Sequence, residues 1–179
     1  MVIRLLSVQD AAALRGFFEH LSPASRYARF QYVVKEVSPQ LLNLLVDVDP
    51  RVHVALGAFD GKMLVGEARY ARREDPEEAD FAIAVDDGWR RRGLATRLMI
   101  ELVRHAGQSG VRRLKGEVLT TNEAMLAFAA QQGFRVHPDF EDARLMRVKR
   151  EIQPGGPQPA RSHPRSADTA RLAIGAGFG

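Results

Sequence analysis

The segment 79–105 restricts the possible fold more than any other part of the sequence. Its β-prone run 79–85 is followed by Asp86-Asp87-Gly88, and three consecutive arginines then lead into Gly93 and an amphipathic helix. A strand that turns directly into a helix presents free backbone N–H groups at the helix start, where the helix dipole adds positive potential. The segment therefore predicts an anion-binding turn beside a buried strand. The alternative interpretation is a solvated basic turn in front of an ordinary helix.

The rest of the chain predicts one mixed α/β domain. Two alternating segments, 52–59 and 63–70, flank Asp60-Gly61-Lys62 and predict an antiparallel hairpin. Residues that commonly cap helices precede segments of helical spacing, and several other short runs are strand-like. Helices are expected to begin after Ser7, Ser22, Ser38 and Asn122, and strands are expected at 2–6, 111–119, 134–136 and 145–152. We expect parallel and antiparallel strand pairs to mix in one sheet.

The composition excludes several kinds of chemistry. The 179 residues include no cysteine, which removes disulfides, thiolate metal sites and a covalent cysteine intermediate. The five histidines show no metal-ligand spacing, and we expect each to be at the surface or partly packed, so we predict no metal. The net charge of +4, from 26 Lys+Arg against 22 Asp+Glu, is too small to indicate a nucleic acid as partner.

Sequence composition also bears on location and domain boundaries. No apolar run approaches the roughly 18 residues of a membrane-spanning helix, and Arg4 places a charge too early for a signal peptide. We therefore expect a cytoplasmic protein that does not bind a membrane. Residues 1–152 are expected to form the domain, whereas the segment 153–179, rich in Pro, Gly and Arg, is expected to be a disordered tail.

The arginine-rich turn does not fit the common nucleotide-binding motifs. It lacks the Gly-Lys-Ser/Thr of a Walker loop and the Gly-x-Gly-x-x-Gly of a dinucleotide site, so a different pyrophosphate-containing ligand is required. A second junction between a strand and a helix follows at Asn122, and its helix ends at Gly133-Phe134. Two successive junctions of this kind favour the ligand-binding interpretation over a solvated basic turn.

Both junctions carry a resemblance to a known family. The run Arg90-Arg91-Arg92-Gly93-Leu94-Ala95 fits the pattern Gln/Arg-x-x-Gly-x-Gly/Ala, and Asn122 with Gly133-Phe134 fits Asn-x(10)-Gly-Phe. Through these motifs residues 79–136 resemble the acetyl-CoA-binding half of the Gcn5-related N-acetyltransferase (GNAT) superfamily. The resemblance implies a central, mostly antiparallel sheet of six to seven strands with splayed central strands, flanked by about four helices. It also implies an N-acetyltransferase with acetyl-CoA as cosubstrate.

A closer resemblance extends upstream of these motifs. The segments 21–30, 115–119 and 122–126 are similar to the acetyltransferase domain of bacterial Pat-type protein lysine acetyltransferases. This similarity implies direct transfer of acetyl to a protein lysine in a ternary complex. For segment 21–30 there are two equally good interpretations: a role in shaping the acceptor site, or a helix with Tyr27 and Phe30 packed inward. A small-molecule amine as acceptor, or a non-catalytic acyl-CoA-binding sensor, are the alternative functions, and we expect a monomer or a homodimer.

The resemblance further implies which residues hold acetyl-CoA. Backbone groups near Ala84 and Val85 would pair with the pantetheine arm as a neighbouring strand would. Pyrophosphate contacts are expected from the turn and the helix start, and Asn122 completes the predicted set. The residues expected at the pyrophosphate are Arg90, Arg91, Arg92, Gly93, Leu94, Ala95 and Thr96.

Two carboxylates are candidates for the catalytic base. A lysine ammonium, with a reference pKa of about 10.4, has no lone pair at neutral pH, so a base must take its proton. The Pat-type pattern has a glutamate ten residues before the pyrophosphate loop, where this chain has the shorter Asp80. Glu117 on the next predicted strand is the alternative base, or neither residue acts. The non-catalytic interpretation of Asp80 is an exposed strand residue. Ala129 stands where many GNAT enzymes carry a tyrosine as general acid.

Overall fold

A seven-stranded sheet forms the centre of the protein, which a computed structural model describes for residues 1–153. The strands are β1 (Val2–Leu5), β2 (His53–Asp60), β3 (Met63–Arg72), β4 (Glu78–Val85), β5 (Arg113–Leu119), β6 (Arg135–Pro138) and β7 (Leu145–Glu151). They lie in the order β1-β2-β3-β4-β5-β7-β6, and all neighbours are antiparallel except β4 and β5. The predicted mixed sheet is confirmed. Apart from Gln153, the predicted disordered tail lies outside the described residues.

In the described part of the chain five α-helices flank the sheet, one more than the approximate number expected. They are α1 (Ala11–His20), α2 (Pro23–Phe30), α3 (Pro39–Val46), α4 (Leu94–Gln108) and α5 (Glu123–Gln131). The caps predicted at Ser22, Ser38 and Asn122 are confirmed, and each side-chain oxygen accepts from an N–H group of the first turn that has no acceptor within its helix. The Oγ atoms of Ser22 and Ser38 and the Oδ1 atom of Asn122 each accept a hydrogen bond from the N–H three residues later. The helix expected directly after Ser7 is wrong, because a short 3₁₀ turn, Val8–Asp10, comes first and α1 begins at Ala11. None of the helices within residues 1–153 is long and apolar enough to cross a membrane.

The helices cover the two faces of the sheet and form a separate core on each. On one face Leu98 and Leu102 of α4 pack with Phe81 and Phe134. On the other face α1, α2 and α3 enclose a cluster that includes Phe18, Phe30 and Leu45. Burial of these apolar side chains is the main favourable term that holds both layers on the sheet.

The parallel strands β4 and β5 separate after a short contact. The two strands pair only at residues 78–80 with residues 113–115, and beyond this point β4 pairs with β3 up to Val85 while β5 pairs with β7 on its other side. At the point of separation, a Cβ on Gly116 would lie 3.0 Å from Cε1 of Phe81, so glycine permits the close approach of the two strands there. The predicted splaying of the central strands is therefore confirmed, and it opens a gap in the middle of the sheet.

Candidate active site

A cavity of about 740 Å³ occupies the gap between β4 and β5. It is lined by these two strands, by α2 and α5, and by the start of α4. Most of the site residues predicted from the sequence line it together: Asp80, Ala84, Val85, Arg90, Arg91, Gly93, Ala95, Thr96, Glu117 and Asn122. Within residues 1–153, the gap leaves the backbone of β4 beyond Asp80 without a strand partner on the β5 side. An extended ligand can therefore lie along this edge as an additional strand.

One end of the cavity has the geometry of an anion site. Gly93 is the N-cap of α4 with φ 73°, and Arg91 adopts φ 58°, which is uncommon for a residue with a side chain. The first N–H groups of α4 have no acceptor within the helix, and Ala95 and Thr96 place this helix start at the cavity wall. The arginine-rich turn and the start of α4 therefore form part of the cavity wall, where backbone N–H groups are available to an anion.

Two residues of the predicted pyrophosphate set lie outside the cavity wall. The guanidinium carbon of Arg92 lies 5.0 Å from the centre of the Trp89 ring. The side chain of Leu94 is buried in the core on the α4 face, so only its backbone is available to a ligand. Asn122 does line the cavity, but its Oδ1 atom already caps α5. Their predicted contacts with a cofactor remain predictions.

Asp80 lies where β4 and β5 separate. It is 7% exposed, and the non-catalytic interpretation as an exposed strand residue is therefore wrong. Its Oδ2 atom pairs with Nε of Arg73, and its Oδ1 atom lies 3.9 Å from Nζ of Lys115. Burial raises the pKa of Asp80 above its usual value, and the charges of Arg73 and Lys115 oppose this rise without cancelling it.

Glu117 is the second carboxylate at the cavity. Burial raises its pKa, and the negative charges of Asp80 and Asp139 raise it further. Among residues 1–153 no side chain donates a hydrogen bond to its carboxylate, although its backbone carbonyl accepts one from Nε2 of Gln31 at 2.8 Å. Two acidic groups with raised pKa values thus face one cavity. Such groups are characteristic of catalytic sites.

Sequence reasoning missed a buried charge cluster next to the cavity. Glu67 on β3 accepts hydrogen bonds at 2.7 Å from Nε of Arg29 and from Nε of Arg69, and Nη1 of Arg69 donates to the carbonyl oxygen of Leu45 at 2.9 Å. The charges and hydrogen bonds of the two arginines outweigh burial and lower the pKa of Glu67. Glu67 and Arg69, two charged residues at alternate positions of a buried strand, are the sequence signal that could have revealed this cluster.

The segment 21–30 fits neither of its two interpretations alone. Phe30 is fully buried in the core, as the packing interpretation expects, whereas Tyr27 is half-buried and lines the cavity. The expectation for the histidines is wrong for His53, which is 6% exposed. Burial and the charge of Arg69 lower the pKa of His53 to about 3. No cluster of His, Asp or Glu side chains able to hold a metal occurs in the described part of the chain.

Comparison with known proteins identifies the family. Residues 14–134 match the family model of the acetyltransferase (GNAT) family. The chain belongs to this family. It is 33% identical over 147 residues to acetyltransferase PA5475 of Pseudomonas aeruginosa. The matched region covers 80% of this chain and 79% of the relative. As a GNAT protein, it is an acetyl-CoA-dependent N-acetyltransferase.

The similarity to Pat-type proteins is also confirmed. The GNAT domain of S. lividans PAT has a TM-score of 0.80 and 28% identity, over 84% of this chain and 89% of that domain. Acetyltransferase Pat of Mycolicibacterium smegmatis is 34% identical over 107 residues, 58% of this chain. The match spans only 32% of that Pat protein. At 17% identity and a TM-score of 0.69, YncA of Salmonella typhimurium, solved with acetyl-CoA, shares the fold.

Proposed function

We propose that this N-acetyltransferase acetylates the side-chain amine of a protein lysine by direct transfer. One observation carries the proposal: two carboxylates with raised pKa values lie at the point where the unpaired edge of β4 and the anion site converge on one cavity. The similarity to the Pat-type relatives supports a protein as the acceptor. A small-molecule amine is the alternative acceptor.

The residues at the cavity fit acetyl-CoA. The free edge of β4 at Ala84 and Val85 suits the amide groups of a pantetheine arm, and the start of α4 suits a pyrophosphate. Arg90 and Arg91 add positive charge at that end. Acetyl-CoA supplies a thioester, which has a thiolate as leaving group. The chain contributes binding, orientation and a proton acceptor.

Asp80 is the proposed proton acceptor for the incoming ammonium group. Its buried position raises its pKa and so its basicity, while Arg73 favours the ionised form that a base requires. Because Oδ2 is paired with Arg73, Oδ1 is the oxygen left to accept the proton, directly or through a water. Glu117, whose carboxylate accepts no side-chain hydrogen bond from residues 1–153, lies at the same cavity and is the alternative base.

The charge balance around the carboxylates supports a protein acceptor over a polyamine. A pocket for a polycation is expected to carry a surplus of negative charge, whereas here Asp80 has Arg73 and Lys115 beside it and Asp139 pairs with Arg147. A single lysine amine needs one proton acceptor and a cavity that a flexible side chain can enter. The site offers these features.

The test combines an acceptor screen with one substitution. Wild-type protein and Asp80→Asn are incubated with acetyl-CoA and either a cell lysate or a panel of polyamines, and acetyl-CoA binding is measured by calorimetry. We expect protein acetylation by the wild type, and a loss of about 10²- to 10⁴-fold in Asp80→Asn with binding retained. Acetylation confined to polyamines would favour the small-molecule alternative. Binding without transfer to any acceptor would favour a sensor.

The assignment of the base is tested separately from the acceptor. If Glu117→Gln abolishes transfer while Asp80→Asn retains it, Glu117 is the base. If both variants retain wild-type rates, neither carboxylate is the base.

A further inference from the structure

A hydrogen-bond network around Asp87 joins the start of α2 to the turn before α4. Oδ2 of Asp87 accepts from the backbone N–H of Ser22 at 2.9 Å, and Oδ1 accepts from Oγ of Ser25 at 2.8 Å. Nη2 of Arg90 lies 2.8 Å from the same Oδ1 and donates to Oγ of Ser25 at 2.7 Å. Residues 62 to 65 positions apart in sequence thus meet at one carboxylate.

An aspartate at this position needs an explanation. Asp87 adds negative charge to the end of the cavity that the start of α4 and the arginines make attractive to an anion. On electrostatic grounds alone it weakens binding of a pyrophosphate. Its oxygens are taken up by donors from Ser22, Ser25 and Arg90, however, so the charge is largely compensated within the network.

The network leaves Arg90 partly available to a ligand. Its contacts within residues 1–153 engage Nη2, and no acceptor there bonds to its Nε or Nη1. Arg90 lines the cavity and its side chain is 53% exposed. A long arginine side chain that is already held in one orientation loses less conformational freedom when a ligand binds.

We propose that Asp87, held by Ser22 and Ser25, is a positioning residue that orients Arg90 toward the pyrophosphate of acetyl-CoA. This inference rests on the proposed function of the cavity. It makes the N-terminus of α2 a part of the pyrophosphate site, in addition to the turn before α4. Gln31, the C-cap residue that follows α2, donates to the backbone carbonyl of Glu117, so α2 connects the two ends of the cavity.

The inference accounts for the serines of segment 21–30. Ser22 caps α2 through Oγ, and its N–H binds Asp87. Ser25 is 9% exposed, and its hydroxyl bridges Asp87 and Arg90. Phe30 anchors the other end of the helix in the core. The segment therefore attaches to the phosphate turn at its start and to the core at its end.

The test compares a ligand that contains the pyrophosphate and nucleotide with one that lacks both. The affinity for CoA is measured by calorimetry and the affinity for pantetheine, which lacks the pyrophosphate and nucleotide, by ligand-observed NMR. We expect Ser25→Ala and Asp87→Asn to weaken CoA binding by about tenfold and to leave pantetheine binding unchanged. Ser25→Thr, which keeps a hydroxyl, should restore most of the CoA affinity.

The matched control is Asp86→Asn. Asp86 is adjacent in sequence, and its Oδ1 atom accepts from the N–H of Gly88 without contacting Arg90. We expect this variant to bind CoA as the wild type does. Equal losses for CoA and pantetheine in Asp87→Asn, or an unchanged CoA affinity in both test variants, would overturn the inference. Wild-type protein that binds neither ligand would overturn the proposed function itself, which distinguishes the two failures.

Discussion

Two groups of acidic side chains on neighbouring strands differ in how completely they are paired with cations. Glu67 on β3 is fully buried between Arg29 and Arg69, and its pKa is lowered. Asp80 and Glu117 at the gap between β4 and β5 are less completely paired, and their pKa values are raised. The first group holds helices on the sheet, whereas the second faces a cavity.

The comparison shows that burial alone does not make a carboxylate reactive. Desolvation is the largest influence on the pKa of all three acids. The outcome depends on the cations around each acid: two arginines bond to Glu67, while Glu117 has no hydrogen-bonded cation among the described residues. Full pairing yields a rigid, ionised group, and incomplete pairing yields a group that can exchange a proton.

The largest expected effect is on stability, in Glu67→Gln. Loss of the carboxylate removes the counter-charge from the fully buried guanidinium of Arg69, and removing one partner of a buried ion pair typically costs roughly 3–5 kcal/mol. Because the pKa of Glu67 is lowered on folding, its contribution is present above the unfolded-state pKa of about 4.3 and is lost as the pH falls toward the folded-state pKa. Chemical denaturation at several pH values measures both effects.

The control for this variant is Glu151→Gln. Glu151 forms an ion pair with Arg113 at the surface, and ion pairs exposed to solvent contribute little to stability. If the two variants lose the same stability, the buried cluster is not the structural element that the comparison assigns to it.

Arg73→Gln tests how the partner of Asp80 sets its protonation. Removal of the guanidinium raises the pKa of Asp80 further, so the acid limb of kcat/KM moves to higher pH, and activity falls most on the acidic side. Lys115, Glu78 and Glu117 also face Asp80 and stay in place. Arg73→Lys should move the limb less.

The matched control for Arg73→Gln is Arg112→Gln, because Arg112 pairs with Glu77 and not with Asp80. Its pH profile should match that of the wild type. A uniform loss of activity at all pH values in Arg73→Gln would contradict a role in the protonation of Asp80.

The smallest expected effect is a gain in stability in Glu117→Gln. A carboxyl group whose pKa is raised on folding costs stability when it is ionised, so the substitution stabilises the protein as the pH rises above the unfolded-state pKa. Thermal unfolding at about pH 5 and about pH 8 should show the larger gain at the higher pH. Glu141→Gln, at an exposed neighbouring glutamate, should show none. A loss of stability in Glu117→Gln would place Glu117 with Glu67 as a structural acid.

Local signals in the sequence were sufficient for the elements and for much of the cavity. Ser22, Ser38 and Asn122 cap the helices that their positions predicted, and the turn at Gly93 lies at the cavity as expected. These features depend on residues close together in the chain, where capping and hydrophobic spacing act. The positions of the Arg92 and Leu94 side chains outside the cavity wall could not be predicted from the sequence, because the direction of a side chain depends on its neighbours in space.

The sequence by itself determined the succession of strands and helices along the chain, the turn before α4 and the presence of acidic residues at 80 and 117. Only the tertiary structure decided how the acidic side chains are paired, since Arg29 meets Glu67 across 38 positions and Ser25 meets Asp87 across 62. A pKa depends on burial and on charges a few ångströms away, and both arise only when distant segments pack together. For this reason the candidate residues were readable from the chain, whereas the difference between a structural acid and a reactive one was not.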